Sequence, residues 1–251
     1  MNVKDHEKKS ELKIIDPVNQ NLVSFEFLAH DINNIFNNVR GSTELCRIFL
    51  DGSNQISKIH DQLNLISGQI ARGIKLISNA RILSQDNKLK SSLKQIDIIG
   101  ELKRAIMFVE KNFRDKKLSI KINQFDKTIK VDANEFIVNV FENILINAVL
   151  HNLNNSVDVT VQITQTLKEN QNYIKFEFID NGIGISDERK ERIFKSSFVK
   201  DKHGKGMGFG LTLVKEIIDS YGGFIWVENR IKGDYSKGSN FIILIPVGSN
   251  K

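Results

Sequence analysis

A single cysteine, Cys46, stands among 251 residues, which excludes an intramolecular disulfide and fits a reducing compartment. It falls on an apolar helical seam, where a lone thiol reads as a small core residue. No apolar run approaches the roughly 20 residues of a membrane-spanning helix, and no signal-peptide pattern opens the chain. A soluble, cytoplasmic protein with no membrane span in this chain is therefore expected. Long basic runs are missing too: the 36 basic residues, net +6, are interspersed with 30 acidic ones, so nucleic acid is not the expected partner. No internal repeat is visible. What is present, 40% hydrophobic and 26% charged residues, describes an ordinary globular chain of one large or two small domains.

Residues 1–15 are charged and aperiodic, and read as a tail. Asp16-Pro17 then opens a helix, Asp as a cap and Pro at the first helical position. Val18, Leu22, Phe25, Ala29, Ile32, Phe36, Val39, Thr43, Cys46 and Leu50 alternate spacings of four and three, the seam of a helical bundle. Asp51-Gly52-Ser53-Asn54 ends that helix and caps a second, which carries Ile56, Ile59, Leu63, Ile66, Ile70, Gly73 and Ile77. The pair predicts an antiparallel hairpin over residues 16–84, about 45 Å long. One hairpin cannot cover both seams, whereas two in a four-helix bundle can, so a homodimer is expected. Ser84–Lys88 breaks the heptads. Beyond it, residues 90–251 predict a second, α+β domain. Strands are expected at Gln95–Ile99, Leu118–Ile122, Thr128–Val131, Val157–Thr166, Tyr173–Ile179, Phe224–Asn229 and Phe241–Ile245. Helices are expected at Glu101–Phe113, Asn134–Asn152 and Phe209–Tyr221, on one face of the sheet.

Four stretches carry chemistry. On the first helix, His30 and Asn34 lie one turn apart on one face with Asp31 beside the imidazole. A titratable ring next to a carboxylate, at the edge of the seam and partly exposed, is placed to act as a nucleophile; an idle surface histidine is the plain alternative. On the apolar helix of residues 134–152, Asn143, Asn147 and His151 form one polar stripe at intervals of four. Asparagine in mid-helix has poor propensity and needs a polar ligand to meet it. Its hard oxygens suit Mg²⁺ together with phosphates. Asp180-Asn181-Gly182-Ile183-Gly184 puts a carboxylate at a strand end before a turn that allows close backbone approach to a ligand. Gly204-Lys205-Gly206-Met207-Gly208-Phe209-Gly210-Leu211 runs straight into a helix, and glycine-rich backbone at a helix N-terminus binds phosphate.

Taken in order, these stretches resemble the N, G1 and G2 boxes of histidine protein kinases and of the wider ATPase superfamily of gyrase, Hsp90 and MutL. Ile193-Phe194-Lys195-Ser196-Ser197-Phe198 is similar to the family's F box, and Gly238-Ser239-Asn240-Phe241 to its last strand. His30-Asp31-Ile32-Asn33-Asn34 resembles the H box. The resemblance covers residues 17–247 and implies a sensor histidine kinase catalytic core: a dimerisation and phosphoacceptor hairpin followed by an ATP-binding domain.

That resemblance implies roles residue by residue. His30 accepts the phosphoryl group, Asp31 is the acid beside it, and Asn34 holds a water for dephosphorylating a docked response regulator. Asn143 and Asn147 serve Mg²⁺ and the phosphates of ATP, and His151 lies near the nucleotide. Asp180 accepts the adenine amino group. Gly182, Gly184, Gly206, Gly208 and Gly210, with Leu211, shape the pocket and its lid. Leu150 stands where many members carry a phosphate-binding lysine, so Lys200, Lys202 or Lys205 would have to supply that contact; Asn240 stands for a frequent threonine near adenine. The expected activity is ATP-dependent autophosphorylation on His30, then transfer to an aspartate of a response-regulator receiver domain, with phosphatase activity alongside. Two other classes compete with it. One is a non-catalytic dimeric nucleotide-binding scaffold or phosphotransfer protein, against which the full set of nucleotide boxes argues. The other is a gyrase-like ATPase clamp, whose catalytic Glu is replaced here by Asn143.

Overall fold

The computed structural model describes residues 17–51, 55–84, 93–114, 116–123, 129–194 and 209–247. Helices α1 (Pro17–Leu50) and α2 (Ile56–Leu83) pack against each other as the hairpin. The rest is a sandwich of helices on a sheet. Its elements are β1 (Lys94–Asp97), α3 (Ile98–Asn112), β2 (Lys117–Ile122), β3 (Lys130–Ala133), α4 (Ile137–Leu150), β4 (Ser156–Lys168), β5 (Gln171–Asp180), α5 (Asp187–Lys190), α6 (Phe209–Ser220), β6 (Phe224–Ile231) and β7 (Asp234–Pro246). Five strands run in the order β2-β4-β5-β7-β6, with β2 and β4 parallel and the other pairs antiparallel; β1 and β3 form a separate antiparallel pair.

Strand alternation builds the core. Ile174, Phe176 and Phe178 of β5 face the same side as Phe241, Ile243 and Ile245 of β7, and all are buried. On that side Phe141 of α4 sets its ring centroid 5.3 Å from Phe176 and 5.9 Å from Phe178. Each such side chain stabilises the fold by about 1.5–3 kcal/mol when fully buried. The same cluster includes Ile82, near the end of α2, so the hairpin is tied into the core of the sandwich.

Several expected boundaries move. Ile98 and Ile99, expected in a strand, begin α3, because the Asp97 side chain accepts the Ile99 N–H at 3.2 Å and caps the helix. The helix expected at Asn134–Asn152 is shorter. Asn134 accepts the Phe136 N–H at 3.1 Å and the Tyr221 hydroxyl at 2.5 Å, which holds a turn before Ile137. Asn152 lies past the end of α4 and accepts the Asn154 N–H at 2.9 Å. The start of the strand expected at Thr128 lies outside the described residues, and the four-residue helix α5 was not anticipated.

The hairpin seam also divides. Ile35 and Cys46 of α1 are buried, whereas Phe36, on the expected seam, is 65% exposed. Side chains at Val18, Leu22 and Phe25 lie outside the described residues. On α2 the split follows the heptad: Ile59, Ile66 and Gly73 are half-buried, while Ile56, Leu63, Ile70 and Ile77 are exposed. A row of exposed aliphatic residues seven apart is half of a coiled-coil interface. Light scattering is expected to show a dimer at micromolar concentration, and Leu63→Glu with Ile70→Glu to convert it to a folded monomer, since each aliphatic side chain covered contributes about 1.5–3 kcal/mol.

Candidate functional site

His30 projects from α1 with its side chain 61% exposed, while the neighbouring Asp31 carboxylate is buried. The ring Nδ1 lies 3.2 Å from the Asn34 side-chain nitrogen and 3.6 Å from an Asp31 oxygen. Asn34 is therefore the group at hydrogen-bond distance, with the Asp31 carboxylate just beyond it. Both partners gather at Nδ1, so Nε2 is the nitrogen directed away from them.

The second part of the site lies where α4, β5, β7 and the start of α6 meet. Asn143 is buried. Its Nδ2 donates to the Asn139 carbonyl at 2.7 Å, and its Oδ1 accepts from the Asn79 Nδ2 at 3.0 Å. Gly210, at the start of α6, packs on the same oxygen: a Cβ there would come within 2.9 Å of it. Asn147 follows one turn later, half-buried, and His151 sits just past the helix end, where its N–H returns to the Asn147 carbonyl. Leu211 is half-buried. Lys205, Gly206 and Gly208, with most of the F-box stretch, lie outside the described residues.

Asp180 closes β5 on the buried side of the sheet. One carboxylate oxygen, Oδ1, accepts both the Gly182 N–H at 2.7 Å and the Ser239 N–H at 3.2 Å. Burial pushes its pKa above the ordinary 3.8, and these two amides and the charge of Arg230 only partly offset that. The turn after it has no room for side chains. A Cβ on Gly182 would lie 2.7 Å from the His151 carbonyl oxygen, and Gly184, at φ +68°, would drive one to 1.6 Å from the Tyr235 carbonyl oxygen. Asn181 fastens this turn to its neighbours. Its Oδ1 accepts from Asn152 Nδ2 (2.6 Å) and the Asp158 N–H (2.9 Å), and its Nδ2 donates to the Ser156 carbonyl (3.0 Å).

Register corrects one expected residue. Asn240 pairs with Ile179 and faces away from the helices, donating to Glu177 at 3.2 Å. Ser239, one residue earlier, lies on the Asp180 side and is buried. Sequence reasoning also missed the Asn181–Asn152 pairing and the approach of α2, where Lys75 meets Glu142 at 2.6 Å beside the Asn79–Asn143 contact. The one available signal was Glu142, a charge in an apolar helix directly before Asn143.

Among the described residues no group of three or more His, Cys, Asp or Glu side chains could cage a metal. A cation here would take a hard oxygen from Asn143, whose Nδ2 is already committed to Asn139, and the rest from phosphates and water. That donor set fits Mg²⁺, which uses few protein ligands.

Residues 132–249 match the model of the histidine kinase-, DNA gyrase B-, and HSP90-like ATPase family. Cyanobacterial phytochrome B of Nostoc is 26% identical over 231 residues, covering 89% of this chain and 29% of that protein. The signal transduction histidine-protein kinase ArlS of Staphylococcus aureus is 24% identical over 238 residues, covering 92% of this chain. The chain thus spans half the length of ArlS and 29% of that of the phytochrome. Histidine kinase ThkA, solved in complex with response regulator protein TrrA, superposes with a TM-score of 0.58 at 21% identity, over 90% of this chain and 61% of that one; it shares the fold. Among the described residues no helix is long and apolar enough to cross a membrane.

The geometry at Asp180 has a consequence for stability. A carboxylate whose folded pKa is raised lowers stability as pH rises through the shifted pKa, and has no such effect below the unfolded value of 3.8. An asparagine keeps an Oδ1 for both backbone amides and carries no charge. Asp180→Asn is expected to melt at or above the parent temperature at pH 7, with the difference vanishing as pH falls towards 3.8, by calorimetric scans across pH.

Proposed function

From a chain whose residues 132–249 form a histidine kinase-, DNA gyrase B- and HSP90-like ATPase domain, set behind a helical hairpin in the layout of a histidine kinase catalytic core, we propose an ATP-dependent protein-histidine kinase. It phosphorylates itself on His30 and passes the group to an aspartate of a response-regulator receiver domain. The observation that carries this reading is an exposed imidazole with two partners at Nδ1, in one chain with a buried carboxylate whose second oxygen takes no backbone amide among the described residues.

In this reading Asp180 uses Oδ1 to hold its own turn and Oδ2 to accept the adenine amino group, which selects a donor at that position of the base. Asn143 and Asn147 face the Mg²⁺ and the phosphates, and the N-terminus of α6 with the preceding glycines favours their negative charge. Mg²⁺, when bound, neutralises charge on the transferring phosphoryl group. His30 reacts as the neutral ring through Nε2: the Nε2–P bond forms as the bond from the γ-phosphorus to the bridging oxygen breaks, and ADP leaves. This requires the proton on Nδ1. Asn34, its amide turned to present Oδ1, accepts that proton's hydrogen bond, and the Asp31 carboxylate stabilises the positive charge that develops on the ring. Residues 16–84 act as the dimerisation and phosphotransfer hairpin and residues 90–251 as the ATP-binding domain. The regulator is the partner because phosphoimidazole is a store for onward transfer, and ThkA was solved with such a protein.

Incubation with γ-labelled ATP and Mg²⁺ is expected to give an acid-labile, base-stable label. His30→Gln should lose the label yet retain nucleotide binding. Asp180→Asn should lose both, its nucleotide affinity falling more than tenfold because a hydrogen bond to a charged group contributes about 1.5–3 kcal/mol. Label retained on His30→Gln would refute the assignment.

Asn34 generates a separate expectation. Its amide can also hold a water in line with the phosphoryl group of a docked regulator. Asn34→Ala removes one Nδ1 contact but keeps Asp31 beside the ring, so dephosphorylation of the phosphorylated regulator is expected to slow by a larger factor than autophosphorylation. Equal clearance by mutant and parent would leave Asn34 only its contact with the ring.

A further inference from the structure

The least expected feature of the site is that a residue of the hairpin occupies it. Asn79 is 3% exposed, and its Nδ2 donates to Asn143 Oδ1, the oxygen assigned above to the metal. That amide cannot turn aside, because Asn143 Nδ2 is held by the Asn139 carbonyl. Gly210 also lies beside this oxygen, where a Cβ would stand 2.9 Å from it and 3.7 Å from Asn79 Nδ2, and Asn143 itself is 5% exposed. Mg²⁺ demands near-octahedral coordination and keeps several waters. With Asn79 Nδ2 donating to it, this buried Oδ1 already spends its acceptor capacity on the hairpin rather than on a cation.

Two further observations describe how the contact is held. Lys75, one turn before Asn79, meets Glu142, the residue preceding Asn143, at 2.6 Å, and both side chains are largely buried. Asn79 Oδ1 is buried with no hydrogen-bond partner among the described residues. A polar atom left unsatisfied weakens the docked state, so the contact closes the site but is ready to yield. Its height on the hairpin is also specific. A Cβ on Gly73 would lie 3.6 Å from Ile35, so these positions face each other across the antiparallel pair. Asn79 lies about 9 Å beyond Gly73 and His30 about 7.5 Å from Ile35 in the same direction. The contact is made at the level of His30.

We propose that α2 is a latch on the nucleotide site: the Asn79–Asn143 and Lys75–Glu142 contacts and the binding of Mg²⁺ with nucleotide are mutually exclusive. This rests on the assignment of Asn143 to the Mg²⁺–nucleotide site. By linkage, nucleotide binding releases the ATP-binding half from the hairpin at the level of His30, and any movement of α2 that withdraws Asn79 raises nucleotide affinity by the same factor.

Calorimetry on the full chain with Mg²⁺ and a non-hydrolysable ATP analogue tests the latch. Asn79→Ala and Lys75→Gln are each expected to bind at least fivefold more tightly than the parent. The sign for Lys75→Gln is decisive, because removing a cation near phosphates would by charge alone weaken binding. Circular dichroism reports whether each variant folds; should Asn79→Ala fail to fold, Lys75→Gln decides by itself. Unchanged or weakened binding in the folded variants overturns the latch while leaving the nucleotide site standing. Absence of binding by parent and variants alike overturns the nucleotide assignment and the latch with it. Binding by the variants but not by the parent supports both.

Discussion

A buried carboxylate sets the terms for one end of the sheet. Asp180 must surrender water to stand on the core side of β5, and desolvation of an ion costs several kcal/mol. Two backbone amides, from Gly182 and Ser239, return part of that through charge-assisted hydrogen bonds of about 1.5–3 kcal/mol each. They do not return all of it, as the raised pKa shows. Every neighbouring backbone choice follows from bringing those amides in. Gly182 must turn back on its own preceding carboxylate. Gly184, at positive φ, lets the Tyr235 carbonyl approach, and Gly238, at φ +114°, lies where a Cβ would meet the Asp180 carbonyl oxygen at 2.1 Å. The tip of the β6–β7 hairpin can therefore close on the end of β5 only with glycine at these positions.

The sequence made much of this legible because glycine at fixed offsets from an acid is a backbone statement. The helices were legible for a similar reason: spacings of three and four persist over Pro17–Leu50 and Ile56–Leu83 whatever lies around them. Where the reading shifted, a tertiary or capping contact decided. Ile98 and Ile99 are β-branched after a strand-like run, and only the Asp97 cap makes them helical. Asn240 and Ser239 differ by one step, and a step of one in a strand exchanges faces; the pairing of Phe241 with Phe178 puts Ser239 on the side of Asp180. Ile35 and Phe36 are likewise adjacent, one buried and one exposed. A heptad shows that an apolar stripe exists, not whether it meets the next helix or another molecule. The Asn79 contact was not legible at all, since nothing local to an asparagine in α2 reveals what α4 brings to it across 64 positions.

The hairpin consequently has three kinds of surface, and their chemistry differs. One, through Ile35, Cys46 and Leu76, is buried within the hairpin or against the sandwich. A second is the exposed aliphatic row of α2. The third, around Lys75 and Asn79, is polar and specific. An apolar surface there could hold the two halves together, but it would not discriminate between a site with a cation and one without. A polar contact aimed at the Asn143 oxygen proposed to meet the cation does discriminate, because it satisfies the group that the cation would use.

His30 belongs to none of these surfaces. In the proposed reaction it is reached from two directions in turn, first by a nucleotide and then by a regulator, which an exposed ring allows while its orientation is fixed from beneath. Asn34 supplies the orientation at Nδ1 and Asp31 the charge, and Asp31 is the one that is buried. Rigidity comes from the helix, since both partners are set by sequence offsets of one and four and need no loop to place them. In the proposed reaction the movement left over is the approach of the ATP-binding half as a body, the step that the proposed latch on α2 would control.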